Sequence, residues 1–141
     1  MDIVKAGKQD KRAFQGLMQR YLHDLSPYTG DSPDAHGRYD FGKYFDAYWE
    51  SDDRHPYLFL DDDGQVFGFA LVRELSKDHH SVAEFYIDEP RRRAGLGRKC
   101  AKMLFRLHPG RWSVAQMEAN GTAIKFWRRV IGEVTGDNYS E

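Results

Sequence analysis

One stretch of the sequence decides the fold, EFYIDEPRRRAGLGRK at residues 84–99. We expect a strand to end at Ile87 and a helix to begin near Gly95, with three arginines and two glycines around the junction. A helix N-terminus offers unpaired backbone N–H groups and the positive end of the helix dipole. Glycine lets an anion approach the backbone closely, and arginine adds permanently charged donors. The stretch therefore predicts a phosphate-binding turn between a strand and a helix.

Three phosphate-binding motifs can be compared with this turn. The dinucleotide fingerprint needs a third glycine where this chain has Cys100, and it follows a first strand rather than a late one. The P-loop needs Lys and then Ser or Thr after its second glycine, whereas Gly97 is followed by Arg98-Lys99-Cys100. The remaining pattern, Arg/Gln-x-x-Gly-x-Gly/Ala, is matched by residues 92–97.

Hydrophobic periodicity outward from this turn predicts the other elements. The predicted strands are Ile3–Ala6, Tyr57–Leu60, Val66–Val72, Val82–Ile87 and a fifth near Trp112–Val114. The predicted helices run from Asp10 as N-cap to an end at Ser26-Pro27, then over 44–49, 96–107 and 123–131. Residues 26–42 read as a long loop and 76–80 as a polar connection.

The predicted architecture is a single domain over residues 1–141, of the α/β (α+β) class. A mixed, mostly antiparallel central sheet is flanked by about four helices, in the order β-α-α-β-β-β-α-β-α with a short C-terminal tail. The middle strands pair as an antiparallel meander, and the late strand-helix-strand unit implies a parallel pair.

With these elements in place, the chain resembles the GNAT superfamily of acetyl-CoA-dependent N-acyltransferases. In that family the motif found here at residues 92–97 follows the fourth strand and opens the third helix. The family's fourth helix often carries Asn-x-x-Ala-x-x-Phe-Tyr, and this chain has Asn120, Ala123, Phe126 and Trp127 at that spacing. The resemblance covers nearly the whole chain, most firmly residues 57–131.

The resemblance implies that acetyl-CoA is the co-substrate and that its pyrophosphate is held by backbone N–H groups from Arg93 to Arg98. It implies that the Ile87 N–H stabilises the oxyanion of the tetrahedral intermediate. For Phe126 and Trp127, simple core packing stays an equal alternative. The implied cofactor-binding residues are Phe85, Tyr86, Ile87, Arg92, Arg93, Ala94, Gly95, Leu96, Gly97, Arg98, Asn120 and Phe126.

The implied reaction is direct attack of an amine on the thioester, which requires a base for the amine proton. Glu84 is the first candidate, because it lies on the strand that ends at the acetyl site. Strand alternation does not fix which face it takes, since a local bulge would reverse it. The alternative is that Glu84 only pairs with an arginine or caps the neighbouring loop. The family's usual acid, a tyrosine, is replaced by Trp127, and a base position on the fifth strand is Ala115. This leaves water, Tyr21, Tyr86 or Tyr139; the catalytic prediction is Glu84, Ile87 and Tyr139.

The acceptor amine is predicted to bind between the first two helices, the loop 26–42 and the fourth strand. Acidic residues dominate 24–53 and basic residues dominate 91–129, so the first region suits a cation and the second a polyanion. Tyr21, Asp24 and Tyr48 are the predicted substrate-binding residues. The alternative is that the aromatics are core and the aspartates are solvated loop residues.

Composition narrows the remaining function classes. A net charge of −1 argues against a general nucleic-acid binder, although residues 91–102 keep a basic nucleic-acid site as a third hypothesis beside a non-catalytic acyl-CoA-binding module. No apolar run is long enough to span a membrane, and the single Cys100 fits a cytoplasmic protein without disulfides. The histidines are scattered, so no metal is expected. The family normally has two more C-terminal strands, so either the form is trimmed or a partner, such as the second copy of a homodimer, completes the sheet.

Overall fold

The computed structural model describes residues 1–92 and 94–141, which form one five-stranded sheet with three α-helices packed on it. The strands are β1 Asp2–Lys5, β2 Arg54–Leu60, β3 Val66–Ser76, β4 His79–Ile87 and β5 Arg111–Val114. The helices are α1 Lys11–Thr29, α2 Leu96–Leu107 and α3 Gly121–Thr135. Single 3-10 turns lie at Lys8–Asp10, Asp46–Trp49 and Glu89–Arg91.

The strand order in the sheet follows the chain, β1-β2-β3-β4-β5. The first three pairings are antiparallel and the β4–β5 pairing is parallel, because α2 carries the chain back across the sheet between them. Strand β3 lies at the centre with Phe67–Val72 buried, as the nearly unbroken apolar run predicts for a strand covered on both faces. The predicted mixed, mostly antiparallel fold is confirmed.

Helices cover both faces of this sheet. On one face α1 packs Phe14, Leu17 and Met18 against apolar side chains of β2, β3 and β4. On the other face α2 and α3 bury Cys100, Leu104, Trp127 and Val130. Burial raises the pKa of the Cys100 thiol to about 12, so this cysteine is a core residue rather than a nucleophile.

Local structure differs from the sequence prediction at three places. Helix α1 continues through Pro27 to Thr29. Proline has no N–H to donate to the His23 carbonyl four residues earlier, and the Ser26 Oγ donates to that carbonyl instead (2.6 Å). The predicted second helix is only the 3-10 turn Asp46–Trp49. The predicted connection 76–80 shrinks to residues 77–78, because β3 and β4 pair as far as Ser76 and His79.

After α3 the tail 136–141 forms no strand and is fastened back to the helix by an ion pair between Arg128 and Glu141 (2.8 Å). Helices in the described ranges, 1–92 and 94–141, are all too short or too polar to cross a membrane.

Candidate functional site

A β-bulge in β4 decides which side chains face α1. Leu71 pairs with Glu84, but the next residue of β3, Val72, pairs with Val82, so Ala83 is an extra residue on β4. A bulge of this kind reverses the facing of the residues beyond it. Glu84 and Tyr86 therefore face α1, whereas Phe85 and Ile87 face α2 and α3.

Beyond this bulge β4 and β5 separate. Their parallel pairing runs from His79 and Arg111 to Val82 and Val114, and β5 ends there. The Asp88 N–H bonds to Phe67 of β3 (2.8 Å), and successive N–H groups of a strand point to opposite edges. The Ile87 N–H therefore points to the edge that β5 has left. The edge of β4 at Phe85, Tyr86 and Ile87 therefore has no pairing with β5, and we call the space between the two diverging strands the cleft.

The N-terminus of α2 lies against this cleft. A Cβ added to Gly97 would meet Phe126 of α3 at 3.1 Å and Ile87 of β4 at 3.5 Å, so the first helical turn, α3 and the strand end converge at this glycine. Gly95 has a φ of 78°, the left-handed conformation that glycine favours, and a Cβ there would point into open space. Ala94 is exposed and Leu96 and Arg98 are half-buried beside this N-terminus.

The arginine side chains are largely engaged within the protein. Arg91 pairs with Asp61 (2.8 Å), and the Arg92 guanidinium donates to Asp24 and to the Ile87 carbonyl, both at 2.7 Å. Arg98 lies 3.5 Å from Glu133 of α3. Arg93 of the predicted set lies outside the described residues. Arg92 thus fixes the strand end at Ile87, and its role in cofactor binding stays a prediction.

Tyr21 and Glu84 form the polar centre of the α1 face. The Tyr21 hydroxyl donates a hydrogen bond to the Glu84 carboxylate. Burial, followed by the charge of Glu84, raises the pKa of Tyr21, so this phenol stays neutral. Burial also raises the pKa of Glu84, and the hydrogen bond from Tyr21 partly opposes that rise. A carboxylate tuned in this direction suits proton transfer near neutral pH.

An open groove of about 590 Å³ lies beside this pair, between α1, the loop before residue 46 and the end of β4. Tyr86 lines it, and burial followed by the charge of Asp88 raises the pKa of the Tyr86 phenol to about 12. The wall of the groove carries three acidic side chains and one arginine. They are Asp24, Asp88, Glu89 and Arg20.

The groove wall includes a segment that the sequence did not single out. The Gln19 amide donates to the Tyr39 carbonyl (2.9 Å) and accepts from the Tyr39 N–H (2.7 Å), so one side chain of α1 holds the long loop at both backbone groups. His23 Nδ1 also lies 3.2 Å from the Tyr39 hydroxyl. Gln19 carries no sequence signal for this role, because the contact depends on how the loop folds back.

Four other residues that the sequence singles out lie outside the groove, and their contacts are as follows. Asn120 caps α3 by accepting from the Ala123 N–H (3.1 Å). Tyr48 is a core residue, 6 % exposed, with Arg54 over its ring. Tyr139 lies on the tail, 38 % exposed, and is not part of the Tyr21–Glu84 cluster. Trp127 is buried, with its ring edge-on to Phe85 at 5.0 Å.

Three histidines that are far apart in the sequence lie close together in the fold. His55, His80 and His108 each place a ring nitrogen within 4.8 Å of the others. The expectation of a metal-free protein relied on sequence spacing, which cannot detect a cluster assembled from two non-adjacent strands and a helix end. This cluster lies at the opposite end of β4 from Ile87.

Comparison with known proteins gives a family match and several similar structures. A family model described as the acetyltransferase (GNAT) family matches residues 18–132. A mutant of the BH1408 protein from Bacillus halodurans is similar at 16% identity and a TM-score of 0.74, covering 100% of this chain and 98% of that chain. No curated protein matches the sequence.

Two similar structures carry ligands in their descriptions. An aminoglycoside acetyltransferase from an uncultured soil metagenomic sample, in complex with trehalose, has 14% identity and a TM-score of 0.66, covering 92% of this chain and 86% of that chain. AAC(6')-Iy, in complex with the bisubstrate analogue CoA-S-monomethyl-acetylneamine, has 15% identity and a TM-score of 0.65, covering 99% and 90%. At these identities the likeness shows the shared fold.

Proposed function

The chain belongs to the acetyltransferase (GNAT) family and is an N-acetyltransferase, and from this premise we propose that its acceptor is a cationic primary amine bound in the acidic groove beside Tyr86. The observation that carries this proposal is the hydrogen-bonded Tyr21–Glu84 pair on the α1 face, whose Tyr21 ring packs edge-on to the groove-lining Tyr86 (5.9 Å between ring centroids). A proton acceptor, a cation-attracting wall and a thioester cleft then share one end of the sheet.

Acetyl-CoA binding is supported by the junction of β4 and α2. The pyrophosphate would accept hydrogen bonds from the unpaired N–H groups at the start of α2, where Gly95 leaves open space for it. The pantetheine arm would enter the cleft between β4 and β5, past Phe85 and Phe126. The thioester carbonyl would then lie at the Ile87 N–H, which points into that cleft.

In the reaction, the amine nitrogen attacks the thioester carbonyl carbon, and the C–N bond forms as the C–S bond breaks. The amine proton passes to Glu84, directly or through water, and the CoA thiolate leaves and takes up a proton. Tyr21 keeps its own proton because its pKa is raised, so it orients Glu84 instead of competing with it as a base. Trp127 offers no acidic hydroxyl, so the thiolate is protonated from water or from the groove.

The acceptor class follows from the groove's charge. Asp24 pairs with Arg92 (2.7 Å) and Asp88 lies at the longer distance of 3.9 Å from Arg20, so Glu89 and the weakly paired Asp88 are the groups that would attract an ammonium group. Positive charge elsewhere on the acceptor strengthens that attraction, so polycationic amines such as polyamines and aminoglycosides are the first candidates. The structurally similar protein from an uncultured soil metagenomic sample is described as an aminoglycoside acetyltransferase, in keeping with this class.

The test is an amine screen in which release of the CoA thiol is measured. We expect polycationic primary amines to give higher kcat/KM than neutral ones, and the preference to weaken as salt is added. Glu84→Gln is the matched control, since it keeps the size and the Tyr21 hydrogen bond but cannot take a proton. Equal turnover of neutral and cationic amines at all salt concentrations would refute the proposed acceptor class.

A second candidate function is a non-catalytic acyl-CoA-binding module, which Trp127 and Ala115 favour because both replace residues of the family's proton-transfer groups. Calorimetric binding of acetyl-CoA without thiol release from any amine in the screen would support this candidate. Thiol release that depends on Glu84 would eliminate it.

A further inference from the structure

We propose that His55, His80 and His108 bind a divalent transition-metal ion of the zinc class, which fastens the C-terminal end of α2 to the sheet. His55 lies on β2, His80 on β4 and His108 at the C-cap of α2. The ion would therefore cross-link three elements that are distant in sequence and that lie around the central strand β3.

The geometry of the three rings is close to that of a metal site. One nitrogen of each ring lies within 4.8 Å of the others. Tetrahedral zinc with ligand distances of ~2.1 Å needs nitrogens roughly 3.4 Å apart, so modest rotations of the side chains complete the site. The rings are already gathered, with His108 centred 4.3 Å from His80 and 4.8 Å from His55. Both pairs are stacked, at interplanar angles of 26° and 29°, so the rings must tilt for their nitrogens to converge on one ion.

The second observation is an unpaired polar atom. His80 is 5 % exposed, and its Nδ1 is the buried side-chain nitrogen that lacks a hydrogen-bond partner in the described part of the chain. A buried ring nitrogen without a partner is costly, and a metal ion that coordinates it removes that cost. Nothing in the acetyl-transfer site requires this histidine, because it lies seven residues before Ile87, roughly 20 Å along the strand.

The surroundings supply the features that metal-binding histidines require. Tyr57 hydroxyl lies 2.6 Å from His108 Nε2 and fixes that ring, which leaves Nδ1 for the metal. His55 and His108 are half-buried, so their rings are partly shielded from water. Glu74, the register partner of His80, contributes negative charge.

One group opposes the site. The Lys5 ammonium lies 3.4 Å from His55 Nδ1 and repels a cation. Lys5 is exposed, so its flexible side chain can turn into solvent when the ion binds. Three protein ligands leave a fourth position for water. The ion would act here as a cross-link between elements, because the acetyl-transfer site lies at the other end of the sheet.

The test uses the full chain without an affinity tag, stripped with a chelator and titrated with Co²⁺ and Zn²⁺. We expect about one ion per chain, visible Co²⁺ bands of four-coordinate geometry, and a higher melting temperature with Zn²⁺. His55→Gln and His108→Gln should weaken Zn²⁺ binding by roughly a hundredfold or more. His79→Gln is the matched control, because His79 bonds to Ser113 (2.6 Å) and should leave metal affinity unchanged.

Equal Zn²⁺ affinity of the parent protein, His55→Gln and His108→Gln would overturn the proposal, as would Co²⁺ spectra of purely octahedral, weakly bound ions. His80→Ala is not needed for this decision, so a folding defect at that buried position does not affect it. Thiol release in the amine screen should be the same in His55→Gln and the parent, which separates this proposal from the proposed function.

Discussion

The Tyr21 hydroxyl of α1 donates a hydrogen bond to the Glu84 carboxylate of β4, across 63 positions of sequence. This bond exists because Ala83 forms a bulge that turns Glu84 toward α1. In the proposed mechanism Glu84 is the base and Tyr21 adjusts its pKa, so the two residues should have separable effects on the reaction.

Glu84→Gln should lower kcat by about 10²- to 10⁴-fold, the usual contribution of a general base, with acetyl-CoA affinity nearly unchanged. Tyr21→Phe should retain activity but move the rising limb of kcat/KM to higher pH, since the lost hydrogen bond no longer lowers the pKa of Glu84. Steady-state kinetics across pH would test both variants. A pH profile of Tyr21→Phe that coincides with that of the parent protein would contradict the tuning role.

Glu84 should also make the free energy of unfolding depend on pH. Its pKa is higher in the folded protein than in the unfolded chain, mainly because it is buried. The folded state therefore binds this proton more tightly, and stability is lost as pH rises from the ordinary glutamate pKa through the raised one.

Glu84→Gln has no proton to lose over this pH range. As pH rises, the free energy of unfolding of Glu84→Gln should therefore increase relative to that of the parent protein. Urea unfolding at a series of pH values measures the difference. Glu118→Gln, which changes an exposed carboxylate, should give a difference that does not vary in this way. A pH-independent difference for Glu84→Gln would show that its burial has no electrostatic cost.

The α2 N-terminus can be tested with an isosteric pair at Gly95. Both Asp and Asn tolerate its φ of 78° better than other side chains do, and a Cβ there meets no neighbour. Gly95→Asp should weaken CoA binding roughly ten- to a hundredfold by repelling the pyrophosphate, whereas Gly95→Asn should have a much smaller effect. Calorimetry with CoA measures this, and equal affinities of the two variants would place the pyrophosphate elsewhere.

Some of the features tested here can be predicted from a short stretch of sequence, and others depend on how distant strands pair. The β4–α2 turn was predictable because glycine conformation and unpaired helix amides are properties of a few adjacent residues. The Ala83 bulge was not, since a period of two gives no sign of an inserted residue until the partner strand is placed. The histidine cluster was missed for the same reason, because His55, His80 and His108 meet only through the register of β2, β3 and β4.

The acidic wall of the groove should determine acceptor affinity. Asp88→Asn and Glu89→Gln should each raise KM for a polycationic amine roughly 1.5- to 5-fold at low salt, since an exposed charge pair contributes about 0.2–1 kcal/mol. The effect should shrink as salt is added, and kcat should stay nearly constant. Asp78→Asn, in the β3–β4 turn at the other end of the sheet, is the matched control. Equal KM values for all three variants and the parent would remove the cation-attracting role.

The loop that closes the groove depends on Gln19, which holds Tyr39 by its N–H and its carbonyl. Gln19→Leu removes both hydrogen bonds and should cost about 1–2 kcal/mol in stability, or less if water replaces them. Gln19→Glu keeps an acceptor for the Tyr39 N–H but loses the donor, so it should lie between the parent and Gln19→Leu.

The same order should appear in amide exchange of residues 37–41 and in KM for the acceptor, with acetyl-CoA affinity unchanged, because the cofactor cleft lies on the other side of β4. Hydrogen exchange and steady-state kinetics on the three proteins measure both quantities. If Gln19→Leu accelerated exchange in the loop but left the acceptor KM at the parent value, the loop would be a packing element only, and the acceptor would contact α1 and β4 without it.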